Sequence, residues 1–309
     1  MIILKTYRKR NFFKVQNISF IGLGAMGTPM ALNLLKKKYN LFLYDINTKN
    51  YKKFYKSKAK ICNNYTDLSS KSDVFISMLP DGKALSNLVL GKNGIINFIK
   101  KDSIFIDCSS VDYETTLKIS DAFTKNSIKF IDAPVSGGVS GAEQATLTIM
   151  VGGKKNTYND AKEILSVLGK NIIYVGKSGS GQIVKACNNM MLGINMIGVS
   201  EAFTLASKYG ISQKTFFEIS SKSSGSSWAM LNHLPIKGII KTAAANNRFK
   251  PGYAAKLILK DLSIAKQMAK KISLNIFMGK KAFDLYNSFC RKDKNNLDYS
   301  AIIKSLFKK

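Results

Sequence analysis

The chain has 309 residues, of which 45% are hydrophobic and 10% aromatic, so it is long enough for two domains and is not a disordered protein. Its four cysteines form no CxxC pair, so the sequence suggests neither a disulfide framework nor a metal site, and a reducing compartment fits best. The formal net charge of +29 invites a nucleic-acid partner, but the lysines are spread along the chain and not clustered, so we expect no such partner.

The first 16 residues are basic and contain no acidic residue. We interpret them as a tail, with a short organelle-targeting segment as the alternative. The apolar stretch FIGLGAMGTPMALNLL at 20–35 is neither a signal peptide nor a membrane span, because three glycines, Pro29 and Asn33 interrupt it and no A-x-A site follows. We therefore predict no membrane partner and a cytoplasmic location, with the mitochondrial matrix as the alternative.

Short β-branched and aromatic runs alternate with longer amphipathic segments from residue 17 to residue 178. The runs have the length and composition of strands, and segments such as GTPMALNLLKKK and YETTLKISDAFTK have the apolar spacing of helices. This alternation predicts an α/β Rossmann fold with a mostly parallel, doubly wound sheet. The predicted strands are 17–22, 40–46, 73–80, 103–110, 128–135, 147–153 and 171–176.

The pattern changes after the GKSGSG segment at 176–181, because no strand-like run follows it. Helical spacing predicts one long helix at 182–209 and further helices near 212–222, 254–273 and 276–290. We therefore predict a tail at 1–16, a Rossmann domain at 17–178 and an all-helical domain at 179–309.

A GxGxxG motif, with Gly22, Gly24 and Gly27, lies between the first predicted strand and the helix that follows. Such glycines permit a tight turn, approach of the backbone to a pyrophosphate and close helix packing. Asp45 ends the second strand, where a carboxylate hydrogen-bonds a ribose 2′-hydroxyl and repels a 2′-phosphate. The motif therefore predicts NAD as the cofactor, in preference to NADP.

Two later segments, SMLPDG and DCSS, end strands at the same edge of the predicted sheet. Ligands of open α/β sheets bind outside the carboxyl ends of the strands. Leu79, Pro80 and Ser110 are therefore candidates to line the cofactor cleft.

The DAPVSGG segment follows the next strand and offers a hydroxyl and unobstructed backbone N–H groups at Ser136, Gly137 and Gly138. This combination is suited to holding a carboxylate, although a Ser-Gly-Gly turn is often only a turn.

Lys185 is the only charged residue between Lys177 and Glu201, in a segment predicted to be helical. Asn189 follows four residues later and shares its helix face, so both side chains can reach one substrate. The only histidine, His233, has no carboxylate pattern around it, which makes Lys185 the better candidate for a general base.

Taken together, these motifs resemble the β-hydroxyacid dehydrogenase family, and the match extends from Ile18 to Leu306. Five segments add support to the resemblance. They are DAPVSGGVSGA, KACNNMMLGINMIGVSEA, SSGSSWAM, NNRFKPGYAAKLILKDLSIA and DYSAIIKSL. The resemblance implies an active site between the two domains, NAD bound at the loop Gly22, Leu23, Gly24, Ala25, Met26 and Gly27, and homodimers or homotetramers formed through the helical domain. Two positions depart from the family pattern, Ala145 where a glycine is common and Ala84 where a polar residue is common.

By the same resemblance Lys185 is catalytic and Lys260 of LILKDL approaches the cofactor, while Ser136, Gly137, Gly138 and Asn189 hold a small anionic hydroxy acid. Trp228 and the apolar helices favour a methyl-bearing substrate. Two alternatives remain open. One is a reductase of the same family that acts on tartronate semialdehyde, succinic semialdehyde or glyoxylate, and the other is a non-catalytic module that binds nucleic acid or a partner.

Overall fold

The computed structural model describes residues 17–306, so the tail predicted at 1–16 lies outside the described residues. The described residues form one sheet of nine strands, flanked by helices, followed by a helical half. The strands are β1 Asn17–Ile21, β2 Asn40–Tyr44, β3 Lys60–Ile61, β4 Val74–Ser77, β5 Ile104–Asp107, β6 Lys129–Asp132, β7 Val135–Ser136, β8 Leu147–Gly153 and β9 Gly169–Gly176.

The spatial order of the strands is β3-β2-β1-β4-β5-β6-β8-β7, and β9 pairs with β8. The six strands from β3 to β6 are parallel, whereas β8 runs antiparallel to β6 and β7. The predicted mostly parallel Rossmann sheet is therefore confirmed. The chain leaves β1 in one direction toward β2 and later crosses back to β4, and this reversal opens a crevice at the carboxyl ends of β1 and β4.

Alternate residues of the central strands face two separate cores, as the two-residue period of a strand dictates. On one face, isoleucine and leucine side chains pack against α1 (Gly27–Lys36) and α6 (Lys155–Leu165). On the other face, Phe42, Phe75, Phe105 and Phe130 pack against α3 (Gly82–Leu90) and α4 (Tyr113–Lys125). The Phe105 ring lies 4.8 Å from the ring of Phe123 on α4. The flanking helices are α1 Gly27–Lys36, α2 Tyr65–Ser70, α3 Gly82–Leu90, α4 Tyr113–Lys125, α5 Gly138–Glu143 and α6 Lys155–Leu165.

The second half is built around α7, Ser180–Lys208, which packs against β8 and β9 of the sheet and against the later helices. In the described residues no strand follows β9, and the four predicted helices are confirmed with small changes of boundary. A short helix that the sequence did not predict contains Trp228 and His233. The remaining helices are α8 Gln213–Ser220, α9 Trp228–His233, α10 Ala255–Lys271 and α11 Phe277–Phe289.

Two short strands were missed by the sequence analysis. β3 and β7 contain two residues each, too few for any periodicity to register. The single strand predicted at 128–135 is divided at Pro134, which has no N–H group to donate to a neighbouring strand. The chain bends there, and β7 pairs antiparallel with β8.

Ala145 occupies an unfavourable backbone conformation at the end of α5. Its φ is +54°, in the left-handed region, and Thr146 N–H donates to Gly141 C=O at 2.9 Å, as in a helix C-cap that normally contains glycine. The departure noted in the sequence at this position therefore has a conformational cost, about 1 kcal/mol for a residue that carries a Cβ.

We expect Ala145→Gly to raise the free energy of unfolding by about 1 kcal/mol, because glycine adopts positive φ without strain. Urea unfolding followed by circular dichroism measures the change. Ala122→Gly, inside α4, is the matched control and should lower stability by about 1 kcal/mol, because glycine is a poor helix former. Equal destabilisation by both substitutions would contradict the interpretation.

Candidate active site

A cavity of about 1100 Å³ lies between the carboxyl edge of the sheet and helices α7, α9 and α10. All but one of the residues selected from the sequence line it, and the exception is Leu23, which is buried in the core. The residues of this group that line the cavity are Gly22, Gly24, Ala25, Met26, Gly27, Asp45, Leu79, Pro80, Ser110, Ser136, Gly137, Gly138, Lys185, Asn189 and Lys260.

The three motif glycines have different surroundings, and all three sets of surroundings are compatible with a bound dinucleotide. A Cβ on Gly22 would lie 2.4 Å from Met78 C=O, and one on Gly27 would lie 1.9 Å from Gly22 C=O, so turn and helix packing exclude larger residues. A Cβ on Gly24 would meet nothing within 4 Å and would project into the cavity. The residues present therefore fit a pyrophosphate approaching the backbone at Gly24, at the N-terminus of α1.

Asp45 follows β2 and is tied to the glycine loop. One carboxylate oxygen accepts hydrogen bonds from Leu23 N–H at 2.6 Å and from Asn50 Nδ2 at 2.9 Å, and the other accepts from Asn47 N–H at 2.7 Å. The carboxylate is thus fixed beside the loop, where it faces the cavity. Its charge there favours a ribose hydroxyl over a phosphate.

The loops after β4 and β5 form the next part of the wall and are held by polar contacts. Leu79 N–H donates to Ser109 Oγ at 2.8 Å, and that hydroxyl donates to buried Asp107 at 2.6 Å. Burial raises the pKa of Asp107 to about 6, although hydrogen bonds from serines oppose the change. Lys260 of α10 donates to Pro80 C=O at 3.1 Å and to Ser110 C=O at 2.8 Å, so it joins both loops to the helical half.

Lys185 lies on α7, where only 9% of its surface is exposed, and faces the cavity. Burial lowers its pKa from 10.5 to about 8, because the ammonium ion loses its hydration. The charge of Asp261 opposes this decrease, and nearby Lys260 adds to it. An amine with this pKa is partly unprotonated near neutral pH and can accept a proton from a substrate.

Asn189 is held by two residues of the helical half that the sequence analysis missed, Tyr253 and Asp261. Its Nδ2 donates to Asp261 Oδ2 at 2.6 Å and lies 3.3 Å from Tyr253 Oη, and the Tyr253 hydroxyl donates to the same carboxylate oxygen. Asp261 Oδ1 is buried and has no hydrogen-bond partner among residues 17–306, with Lys260 Nζ 3.4 Å away. An acidic residue on the apolar face of a predicted helix was the signal for Asp261.

Two further groups of residues line the cavity. Gly137 and Gly138 have φ of +133° and +64°, so the loop after Ser136 requires glycine at both positions. On the opposite wall, His233 Nδ1 lies 3.0 Å from Tyr299 Oη, and its ring packs 4.7 Å from that of Trp228. Burial lowers the pKa of His233, which favours the neutral imidazole.

Comparison with known proteins agrees with this geometry. Residues 17–176 match the family described as the NAD binding domain of 6-phosphogluconate dehydrogenase, and residues 179–306 match that described as NAD-binding of NADP-dependent 3-hydroxyisobutyrate dehydrogenase. Together with the cavity, these matches define an NAD-dependent dehydrogenase.

Relatives and a solved structure show which kind of NAD-dependent dehydrogenase this chain resembles. A probable mitochondrial 3-hydroxyisobutyrate dehydrogenase of Dictyostelium discoideum is 35% identical over 98% of this chain and 94% of its own length. Its Drosophila melanogaster counterpart, also named mitochondrial, is 40% identical over 93% of this chain and 88% of its own length. The structure of the Mycobacterium tuberculosis enzyme with L-serine has a TM-score of 0.88 at 32% identity and covers 95% of this chain and 100% of that one. The chain belongs to the 3-hydroxyisobutyrate dehydrogenase family.

We expect Asp45→Ala to decrease the ratio of kcat/KM with NAD+ to kcat/KM with NADP+ by about tenfold or more, because one hydrogen bond to a charged group and one repulsion are lost. Steady-state rates with both cofactors measure the ratio. Asp121→Ala, an exposed acid on α4, is the control. An unchanged ratio in Asp45→Ala would remove Asp45 from cofactor recognition.

We expect Asp261→Asn to lower the pKa of Lys185 below about 8, because the negative charge that stabilises the ammonium ion is lost. If Lys185 accepts the proton, kcat/KM for oxidation rises with pH through this pKa, so the rising limb should move to lower pH. A pH profile of kcat/KM measures the midpoint. A limb that moves to higher pH would contradict the electrostatic role of Asp261.

Proposed function

We propose that this enzyme oxidises the primary alcohol of (S)-3-hydroxyisobutyrate to methylmalonate semialdehyde with NAD+, a step of valine degradation. The observation that carries the proposal is Lys185, a buried amine with its pKa lowered to about 8, in a cavity that also contains the Ser136 loop. The names of the relatives support this substrate.

The cofactor would lie along the glycine loop, with Asp45 at its ribose and with Leu79, Pro80 and Ser110 beside it. NAD+ supplies the acceptor for a hydride when bound. Lys260 keeps the two loops together, and in this way the helical half takes part in forming the cofactor cleft.

The substrate carboxylate would bind the Ser136 hydroxyl and the N–H groups of Gly137 and Gly138. Lys185 and Asn189 would hold the substrate hydroxyl, and Lys185 would take its proton. Asp261 and Tyr253 fix the Asn189 amide, so that its orientation is set before substrate enters. In the reverse direction the Lys185 ammonium would donate the proton and stabilise negative charge on the carbonyl oxygen.

We propose that residues 17–178 act as the cofactor domain and residues 179–309 as the substrate and dimerisation domain. Exposed apolar side chains on α7 support self-association, among them Met191 at 56% and Leu205 at 62%. By length and composition, the helix is apolar enough to cross a membrane. Because it carries the buried, hydrogen-bonded Asn189 and packs on the sheet, a second copy of the chain fits its exposed face better than lipid.

The location of the enzyme in the cell follows from its relatives only in part. Several are named mitochondrial, which supports the matrix over the cytoplasm that we expected first. A matrix enzyme would also agree with a targeting function for the basic residues 1–16.

The test is a set of initial rates of NADH formation with 3-hydroxyisobutyrate, L-serine, glycerate, 4-hydroxybutyrate and glycolate. We expect the highest kcat/KM with 3-hydroxyisobutyrate. Lys185→Met, of similar size without the amine, should lose about 100-fold or more in kcat, because it removes the general base. Its NADH affinity, measured by fluorescence, should stay within twofold of wild type.

Different outcomes separate the parts of the proposal. A preference for another hydroxy acid with the same loss in Lys185→Met would overturn the substrate and keep the mechanism. If the wild type is active and Lys185→Met keeps that activity, the mechanism is overturned. Joint loss of turnover and NADH binding in that variant would indicate a folding role for Lys185.

A further inference from the structure

The start of α7 has no capping side chain of its own, because Gly179 precedes it. The buried carboxylate of Asp132, at the end of β6 in the sheet, caps the helix instead. One of its oxygens accepts the N–H of Gly179 at 2.7 Å, and the other accepts that of Gln182 at 3.2 Å. First-turn N–H groups are unpaired in an isolated helix, and a carboxylate at that end is favourable. The contact therefore attaches the first turn of α7 to the sheet.

Two glycines leave the space that this contact needs. A Cβ on Gly181 would lie 2.8 Å from the Asp132 carboxylate and 2.3 Å from Met150 C=O. A Cβ on Gly152 of β8 would lie 2.7 Å from both carboxylate oxygens. Helix and sheet are therefore in the closest contact that their backbones allow, and no side chain separates them.

The same turn is also tied to the cofactor side of the cavity. Gln182 is buried, its Oε1 accepts Val111 N–H at 3.0 Å, and its Nε2 donates to Ser109 C=O at 2.9 Å. Lys185 follows Gly181 by four residues and so lies on the same face of α7, one turn further. Any movement of the first turn away from the sheet moves Lys185 with it.

We propose that Asp132 is a positioning residue for the general base: it holds the first turn of α7 on the sheet and thereby keeps Lys185 buried beside the Ser136 loop. The inference rests on the proposed role of Lys185. Asp132 itself precedes Ser136 by four residues in the chain, so the residue that holds the first turn of α7 also lies next to the proposed substrate loop.

Removal of the Asp132 charge has two effects on the pKa of Lys185, and they have opposite signs, which makes the inference testable. Loss of a negative charge alone would lower the pKa of Lys185, whereas loss of the attachment would hydrate the amine and raise it. The charged groups that face Lys185 are Asp261 and Lys260 of α10, and Asp107 is the acid beside Asp132. Substitution at Asp132 leaves Asp261 and Lys260 in place, and it lowers the pKa of Asp107, which the charge of Asp132 raises.

The experiment compares Asp132→Asn, Gly181→Ala and wild type in pH profiles of kcat/KM for 3-hydroxyisobutyrate at saturating NAD+. We expect the rising limb to move to higher pH by about one unit in both variants, a tenfold decrease in unprotonated Lys185 well below the pKa. Activity should therefore fall more at pH 7 than at pH 10. Asp121→Asn, on the exposed face of α4, is the matched control and should keep the wild-type limb.

A second measurement does not need turnover. Acetylation of Lys185 by acetic anhydride in the cofactor-free enzyme, followed by peptide mass spectrometry, gives the pH midpoint of the amine directly. We expect the same upward shift in both variants. An unchanged or lowered midpoint in folded Asp132→Asn and Gly181→Ala would overturn the inference, even if melting temperatures fell. Wild-type inactivity on every hydroxy acid would instead overturn the proposed function, and the acetylation midpoints would still decide the role of Asp132.

Discussion

Removal of a single ammonium group from water is the constraint on which the site depends. Lys185 is nearly inaccessible, and its pKa is lowered from 10.5 to about 8, with burial as the largest cause. The acid that limits this decrease, Asp261, comes from α10, and the sheet contacts that seat the lysine come from Asp132. The reactivity of one side chain is therefore set by both halves of the chain, and neither half contains a complete site.

Besides the packing of α7 on the sheet, polar contacts join the two halves at the loops that line the cavity. Lys260 reaches from α10 to the carbonyl groups of Pro80 and Ser110, and Gln182 reaches from α7 to both sides of Ser110. The loops of an open sheet are its most adaptable parts. Here they are fixed by side chains of the helical half, so hydrogen bonds join the loops of the cavity wall to α10 and to α7, the helix that carries Lys185.

The sequence alone predicts the sheet, the glycine loop and Lys185 as a candidate site residue, because periodicity and motif spacing are local properties. It was insufficient where a role depends on distant neighbours. The contacts of Tyr253 and Asp261 with Asn189 form only because α10 packs beside α7, and the two-residue strands β3 and β7 exist only through their partners. Ala145 shows the intermediate case: its departure from the family pattern could be read from the sequence, but its positive φ could not.

The position of Trp228 makes its fluorescence useful, independently of catalysis. It is the only tryptophan of the chain, it lines the cavity, and its side chain is half exposed and packed against His233. Indole emission depends on solvent contact and on nearby rings, and bound NADH absorbs in the range where indole emits. The enzyme therefore carries a single indole in the lining of its own cleft, and cofactor and substrate occupancy can be observed without a label.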